Sequence, residues 1–120
     1  MSSILLVDDE PNILMSLEYA FKKQGYKVFI ARDGEEALHI AREQSPEIVV
    51  LDVMMPKLDG YETLKSMKSI QDLAHTKYVF LSAKTKASDI EYGLSIGADK
   101  YLSKPFSIKK LITEITSLLT

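Results

Sequence analysis

The sequence contains no cysteine, which excludes disulfide bonds and metal sites built on thiolates. This absence fits a reducing compartment. No apolar run is long enough to cross a bilayer, and the N-terminus lacks the basic segment and cleavage site of a secretion signal. We therefore expect a soluble, cytoplasmic protein that makes no contact with a membrane.

A strong excess of either charge is also missing. The chain has 15 basic and 17 acidic residues, a formal net charge of -2, and offers no electrostatic case for direct binding of nucleic acid. Its 120 residues, 46% hydrophobic and 27% charged, suit one compact domain and leave no room for a second. We expect a single domain over residues 1–120.

Short apolar runs alternate with helical periodicity five times along the chain. The predicted strands are Ile4 to Val7, Lys27 to Ala31, Glu47 to Leu51, Tyr78 to Leu81 and Asp99 to Leu102. Helix-start signals are Pro11, the capping-box pair Asp33 and Glu36, and Ser107. This βα alternation predicts an α/β, doubly wound fold, with a mostly parallel five-stranded sheet and helices on both faces.

The run from Ile48 to Leu51 leads directly into Asp52. A short unbroken apolar run is typical of a strand buried on both faces, as in a parallel sheet. Because an ionised carboxylate is costly to bury alone, Asp52 should lie where the strand emerges, beside groups that offset its charge. Ligands bind beyond the carboxyl ends of such strands, so Asp52 is the candidate chemical centre.

Other strands deliver complementary groups to the same edge. The first ends at Asp8-Asp9-Glu10, the fourth at Ser82 and the fifth at Lys104. A cluster of carboxylates favours a hard divalent cation such as Mg²⁺. A carboxylate nucleophile, a metal, a lysine and a hydroxyl are together the groups required for phosphoryl transfer to an aspartate.

Four segments in register resemble the receiver domain of two-component response regulators. They are Asp8-Asp9-Glu10-Pro11, Asp52 to Gly60 (DVMMPKLDG), Leu81 to Lys84 (LSAK) and Gly97 to Phe106 (GADKYLSKPF). The resemblance spans essentially the whole chain. It implies a CheY-like, flavodoxin-like fold with strand order 2-1-3-4-5.

The resemblance also implies a phosphorylation-activated signalling switch. A sensor histidine kinase or phosphotransfer protein would donate its phosphoryl group to Asp52, with Mg²⁺ as cofactor. Asp9 and Asp52 would bind the metal directly, the backbone carbonyl of Met54 would be the third protein ligand, and Asp8 would act mainly through water. The chain would catalyse only its own phosphorylation and dephosphorylation, so it would not be a conventional turnover enzyme.

The remaining implied roles concern the phosphoryl group and the switch. Lys104 would pair with one phosphoryl oxygen and Ser82 would donate a hydrogen bond to another. Tyr101 matches the aromatic switch position, which turns inward as Ser82 moves. The Lys104–Pro105 peptide bond is expected to be cis. The residues two beyond the phosphoacceptor and two beyond the hydroxyl tune phosphate lifetime in the family; here they are Met54 and Lys84, with no net direction predicted.

Simpler interpretations of single residues and one other function compete with this one. An aspartate after a strand is usually a loop or cap residue, and Glu10 is expected to do no more than cap the first helix. His39 and His75 lack ligand spacing and should lie on the surface. A haloacid-dehalogenase-like phosphatase acting through an Asp52 phosphoenzyme is the alternative function. It is disfavoured because Met54 stands where such enzymes need a second acid.

The output stays open at this stage. An output domain could continue beyond Thr120, or the receiver could act alone. The surface made by the fourth helix, fifth strand and fifth helix is the expected partner face. Relatives that dimerise on this face on activation carry acids where this chain has Lys100 and Lys110, and a basic residue near Glu114. The reversed signs weaken that dimer without excluding another.

Overall fold

The computed structural model describes residues 2–119 and contains one five-stranded parallel sheet. The strands lie in the order β2-β1-β3-β4-β5, which confirms the predicted topology. Their bounds are β1 Ser3–Val7, β2 Lys27–Ala31, β3 Ile48–Leu51, β4 Lys77–Ser82 and β5 Lys100–Ser103. Every strand lies within one residue of its predicted position at each end, as expected when element ends are read from sequence.

Within residues 2–119, five α-helices connect and follow the strands. They are α1 Pro11–Lys23, α2 Gly34–Gln44, α3 Gly60–Lys68, α4 Ala87–Ser95 and α5 Ile108–Leu118. The side chains of Asp33, Asp59 and Ser107 cap α2, α3 and α5 by accepting hydrogen bonds from backbone N–H groups three residues ahead. The polar connection after α3 contains a short 3₁₀ helix, Gln71–Leu73.

The sheet separates two hydrophobic clusters. On one side, which we call the α1–α5 side, buried residues of α1 and α5 pack on the sheet: Leu14, Leu17, Phe21, Leu111 and Ile115. On the other, the α2–α4 side, the buried residues include Ala37, Ala41, Tyr61, Leu64, Met67, Tyr78 and Phe80. Successive residues of β4 alternate between the two sides, as the two-residue period of a strand requires.

Two glycines allow close approaches that position the functional edge. A Cβ at Gly60 would lie 2.1 Å from the backbone oxygen of Asp52 and 2.7 Å from Cα of Val53. A Cβ at Gly93 would lie 2.8 Å from the ring of Tyr101. Gly60 therefore lets the start of α3 pack directly on the backbone that follows β3, and Gly93 lets α4 pack directly on β5.

Some apolar residues of the helices are exposed. Leu94 of α4 is 44% exposed and Ile108 of α5 is 39% exposed, whereas Leu111 and Ile115 are buried. Within residues 2–119, no helix combines the length and apolar character that a membrane span requires.

Candidate functional site

Asp52 follows β3 directly and is held at the carboxyl edge of the sheet. Its backbone N–H donates to the carbonyl oxygen of Val7 at 3.0 Å, which extends the ladder between β1 and β3 by one residue. Its side chain is buried at this edge. Oδ1 accepts a hydrogen bond from the backbone N–H of Met54 at 3.3 Å, and Oδ2 lies 3.2 Å from Nζ of Lys104.

Lys104 joins the ends of three strands. Besides Asp52, its ammonium donates to Oδ2 of Asp8 at 2.8 Å and to Oε1 of Glu10 at 3.4 Å. Asp8 is itself fixed, because its Oδ1 accepts from the backbone N–H of Glu10 at 2.9 Å. The cluster therefore holds one cation among three carboxylates, and its net charge is negative.

Burial and charge oppose each other in this cluster. Burial raises the pKa of Asp8, and the hydrogen bonds from Lys104 and from the N–H of Glu10 only partly offset that effect. For Lys104, burial alone would lower the pKa, but the hydrogen bond to Asp8 and the charge of Asp52 outweigh it, so the pKa is raised. The ammonium of Lys104 is therefore charged at neutral pH, whereas the ionised form of Asp8 is disfavoured by its burial.

The acidic residues are close enough to share a metal ion. One carboxylate oxygen each of Asp8, Asp9, Glu10 and Asp52 lies within 4.8 Å of the others. Asp9 is exposed and has no hydrogen bond or ion pair with any residue in 2–119, so its carboxylate is available to a ligand. All donors are carboxylate oxygens, the set that a hard cation prefers, and the group fits the expected divalent ion.

Ser82 and Tyr101 are both linked to Lys84. Ser82 is fully buried, and its Oγ accepts a hydrogen bond from the backbone N–H of Lys84 at 3.1 Å, so its own proton stays available for donation. The hydroxyl of Tyr101 donates to the backbone carbonyl of Lys84. The ring of Tyr101 is half-buried and its centroid lies 5.5 Å from that of Phe80.

Two residues make contacts at this edge that were not predicted from the sequence. Glu10 stands at the N-cap position of α1 but makes no side-chain cap bond, so the interpretation of Glu10 as a cap only is wrong. Its carboxylate reaches Lys104 instead. The second is Asp89 of α4, whose Oδ1 lies 3.7 Å from Nζ of Lys84 and whose backbone carbonyl accepts from the hydroxyl of Tyr61 at 3.2 Å.

The signal for Glu10 was present in the sequence, since Pro11 fixes the start of α1 and leaves Glu10 on the same strand end as Asp8 and Asp9. No comparable local pattern identifies Asp89. His39 and His75 are exposed as expected. Far from the edge, Lys100 of β5 pairs with Glu114 of α5 within the chain.

The peptide bond between Lys104 and Pro105 is cis, as expected. The side chain of Met54 is 63% exposed, and Met54 lines a shallow depression of about 410 Å³ over the edge. The other residues that line it are Asp9, Val53, Met55, Asp59 and Lys84.

Residues 4–116 match the family model described as the response regulator receiver domain. Among similar curated proteins, the alkaline phosphatase synthesis transcriptional regulatory protein PhoP of Bacillus subtilis is 42% identical over 116 residues, 97% of this chain and 48% of that protein. The response regulator SaeR of Staphylococcus aureus is 39% identical over 120 residues, 100% of this chain and 51% of that protein. The chain thus spans about half the length of these relatives.

Solved structures give the same result. The chemotaxis protein CheY4 of Vibrio cholerae superposes with a TM-score of 0.93 at 29% identity, covering 98% of both chains. The receiver domain of the Francisella response regulator 1452 gives a TM-score of 0.90 at 34% identity, covering 98% of this chain and 96% of that one. With the matching family model, the relatives and the fold in agreement, this chain belongs to the family of receiver domains of two-component response regulators.

Proposed function

We propose that this receiver domain, taken as residues 1–120, is a switch controlled by phosphorylation of Asp52. The observation that carries the proposal is the convergence of Asp52, Lys104 and the neighbouring acids at one edge of the sheet. Phosphorylation is typical of the family to which the chain belongs. The donor would be a phosphohistidine on a sensor kinase or phosphotransfer protein.

In this proposal the carboxylate of Asp52 is the nucleophile. A bond forms between one of its oxygens and the phosphorus as the phosphorus–nitrogen bond to the donor histidine breaks, and the electron pair of that bond stays on the histidine nitrogen. Lys104 offsets the negative charge of the phosphoryl oxygens. Ser82, whose proton is uncommitted, donates to another phosphoryl oxygen.

Mg²⁺ would be held by Asp9 and Asp52 with the backbone carbonyl of Met54, and through water by Asp8. When bound, it supplies positive charge that neutralises carboxylate and phosphoryl oxygens at close range. The exposure of Asp9 and its lack of a partner in residues 2–119 support this assignment. The domain would in this way promote its own phosphorylation and dephosphorylation without turning over outside substrates.

The proposed output is a change in the surface formed by α4, β5 and α5. Movement of Ser82 toward the phosphoryl group would withdraw the acceptor that holds the N–H of Lys84, and the carbonyl of the same residue holds Tyr101. The chain spans about half the length of its relatives, and we propose that the signal passes to an output domain beyond Thr120. Direct binding of nucleic acid by the receiver domain is not part of the proposal. The pairing of Lys100 with Glu114 inside the chain leaves fewer charges for a symmetric dimer.

The experiment is to incubate the protein with acetyl phosphate and Mg²⁺ and to locate the label by mass spectrometry. Wild type should be labelled on Asp52, and excess chelator should abolish labelling. Asp52→Asn should take up no label. Asp59→Asn is the matched control, because Asp59 lines the same depression, and asparagine preserves its role as a helix cap. Labelling of the Asp52 variant at the wild-type level would refute the assignment.

A further inference from the structure

Lys84 is a further cation beside the site, and its ammonium pairs with a carboxylate of α4 rather than with the acids of the site. The side chain lines the depression together with Asp9, Met54 and Asp59. Its Nζ nevertheless lies 3.7 Å from Oδ1 of Asp89 on α4. The flexible four-carbon side chain gives the ammonium more than one reachable position. Specific contacts must therefore hold it beside Asp89.

The burial of Asp89 favours its ion pair with Lys84. Its side chain is only 15% exposed, whereas that of Lys84 is 44% exposed. The second carboxylate oxygen, Oδ2, is buried and has no hydrogen-bond partner among residues 2–119. A buried carboxylate left without a compensating charge is destabilising, and Lys84 is the cation that forms an ion pair with it.

Tyr61 reinforces the same position. Nζ of Lys84 lies 5.7 Å from the centroid of its ring, within range of a cation–π contact. The hydroxyl of Tyr61 donates to the backbone carbonyl of Asp89, which fixes ring and carboxylate relative to each other. The ring also packs edge-on against Phe80 and Tyr92. The acceptor of the ammonium is therefore a fixed arrangement of α3 and α4.

We propose that Asp89 is a positioning residue that keeps the ammonium of Lys84 out of the phosphoryl site and thereby shortens the lifetime of the phosphorylated domain. This inference rests on the proposed phosphorylation of Asp52. Without Asp89, the ammonium turns to the phosphoryl oxygens. There it closes the open depression through which the hydrolytic water approaches.

The test is the half-life of the phosphorylated domain after the phosphodonor is removed, measured on the full chain with Mg²⁺. Asp89→Asn should lengthen the half-life about two- to fivefold, the range that a partly exposed ion pair allows. Lys84→Met removes the ammonium and provides the background in which it cannot move. Asp89→Asn should then have no further effect in the Lys84→Met background.

Two controls separate positioning from a general effect on α4. Asp89→Glu restores a carboxylate and should return the half-life toward that of wild type. Glu91→Gln removes an exposed charge from the same helix and should leave it unchanged. An unchanged half-life in Asp89→Asn, or a lengthening that persists in the Lys84→Met background, overturns the inference while phosphorylation of Asp52 stands. Absence of any label on wild-type Asp52 would overturn both.

Discussion

The two sides of the sheet differ in the kinds of side chain that form their cores. The buried residues of the α1–α5 cluster are aliphatic apart from Phe21, and Tyr26 and Phe106 lie at its margin. The α2–α4 side contains Tyr61, Tyr78 and Phe80, with Tyr92 and Tyr101 at its margin. The sheet therefore separates a mainly aliphatic core from a core rich in aromatic rings, several of which carry hydroxyl groups.

The hydroxyls on the α2–α4 side reach backbone carbonyls, whereas on the other side the hydroxyl of Tyr26 pairs with that of Thr116 at 3.2 Å. Tyr61 binds the carbonyl of Asp89 and Tyr101 binds the carbonyl of Lys84, so both tie side chains to the backbone around the start of α4. A hydrogen bond can exchange partners at small cost, whereas a packed aliphatic core resists rearrangement. We infer that the hydrogen bonds of the α2–α4 side exchange partners while the buried core under α1 and α5 keeps its packing.

The largest expected effect comes from truncating one fully buried residue on each side. Leu64→Ala in α3 and Ile115→Ala in α5 should each lower the free energy of unfolding by about 2–5 kcal/mol. Leu64→Ala should change the near-ultraviolet circular dichroism of the tyrosines more than Ile115→Ala does, because Leu64 shares a cluster with Tyr61 and Tyr78, whereas the cluster of Ile115 has the half-buried Tyr26 at its margin. An equal spectral change in Ile115→Ala would show that the two sides are not independent.

A smaller effect is expected from Gly93→Ala, which tests the packing of α4 on β5. Alanine favours the helix by about 1 kcal/mol, but its Cβ would meet the rings of Tyr101 and Phe80, and such overpacking costs about 1–3 kcal/mol. We expect net destabilisation in urea unfolding. The cost should shrink in a Tyr101→Leu background, and Glu91→Ala on the exposed face of α4 should have little effect. Equal costs in both backgrounds would contradict the contact.

The edge where the two sides meet should show a pH dependence governed by Asp8. Because its pKa is raised on folding from an ordinary value of 3.8, the ionised form opposes folding, and this cost appears as pH rises through the folded pKa. Asp8→Asn should therefore gain stability over wild type at pH 7, measured in chelator. The gain should decline toward pH 4. A gain that grows as pH falls would contradict the sign.

The smallest effect is expected from Tyr78→Phe. The side chain of Tyr78 is fully buried on the α2–α4 side, and burial raises its pKa to about 12. Its hydroxyl has no hydrogen-bond partner in residues 2–119, and the neighbouring hydroxyl of Thr76 donates instead to the carbonyl of Pro46. Removing an unsatisfied buried hydroxyl should be neutral or stabilising by up to about 1 kcal/mol in thermal unfolding. If Tyr78→Phe instead lowered the stability by more than about 1 kcal/mol, the hydroxyl would have a hydrogen-bond partner such as a bound water.

The parts of the structure that follow from local pattern could be predicted from the sequence. The apolar run Ile48 to Leu51 gave a strand buried on both faces, and the capping residues Asp33 and Ser107 gave the starts of two helices. Parallel topology then brings the strand ends together, which is why Asp52 and Lys104 were expected to meet.

The parts of the structure that depend on packing between distant elements could not be predicted from the sequence. Glycine at position 93 is required because Tyr101 of β5 lies against it, which no local pattern in α4 reveals. The pair formed by Lys84 and Asp89 depends on how the loop after β4 turns into α4. Leu94 has the spacing of a core residue but is exposed, because the short α4 buries little more than Gly93.

The saturation of Lys104 has a consequence for selectivity. An ammonium has three hydrogens to donate, and in the resting domain three carboxylates already accept them. An incoming anion can gain this lysine only by exchange with one of them, not by simple addition. A weakly charged solute has little to offer in that competition, whereas a phosphoryl group carries about two negative charges. The resting cluster would therefore favour a dianionic phosphoryl group over common monovalent anions.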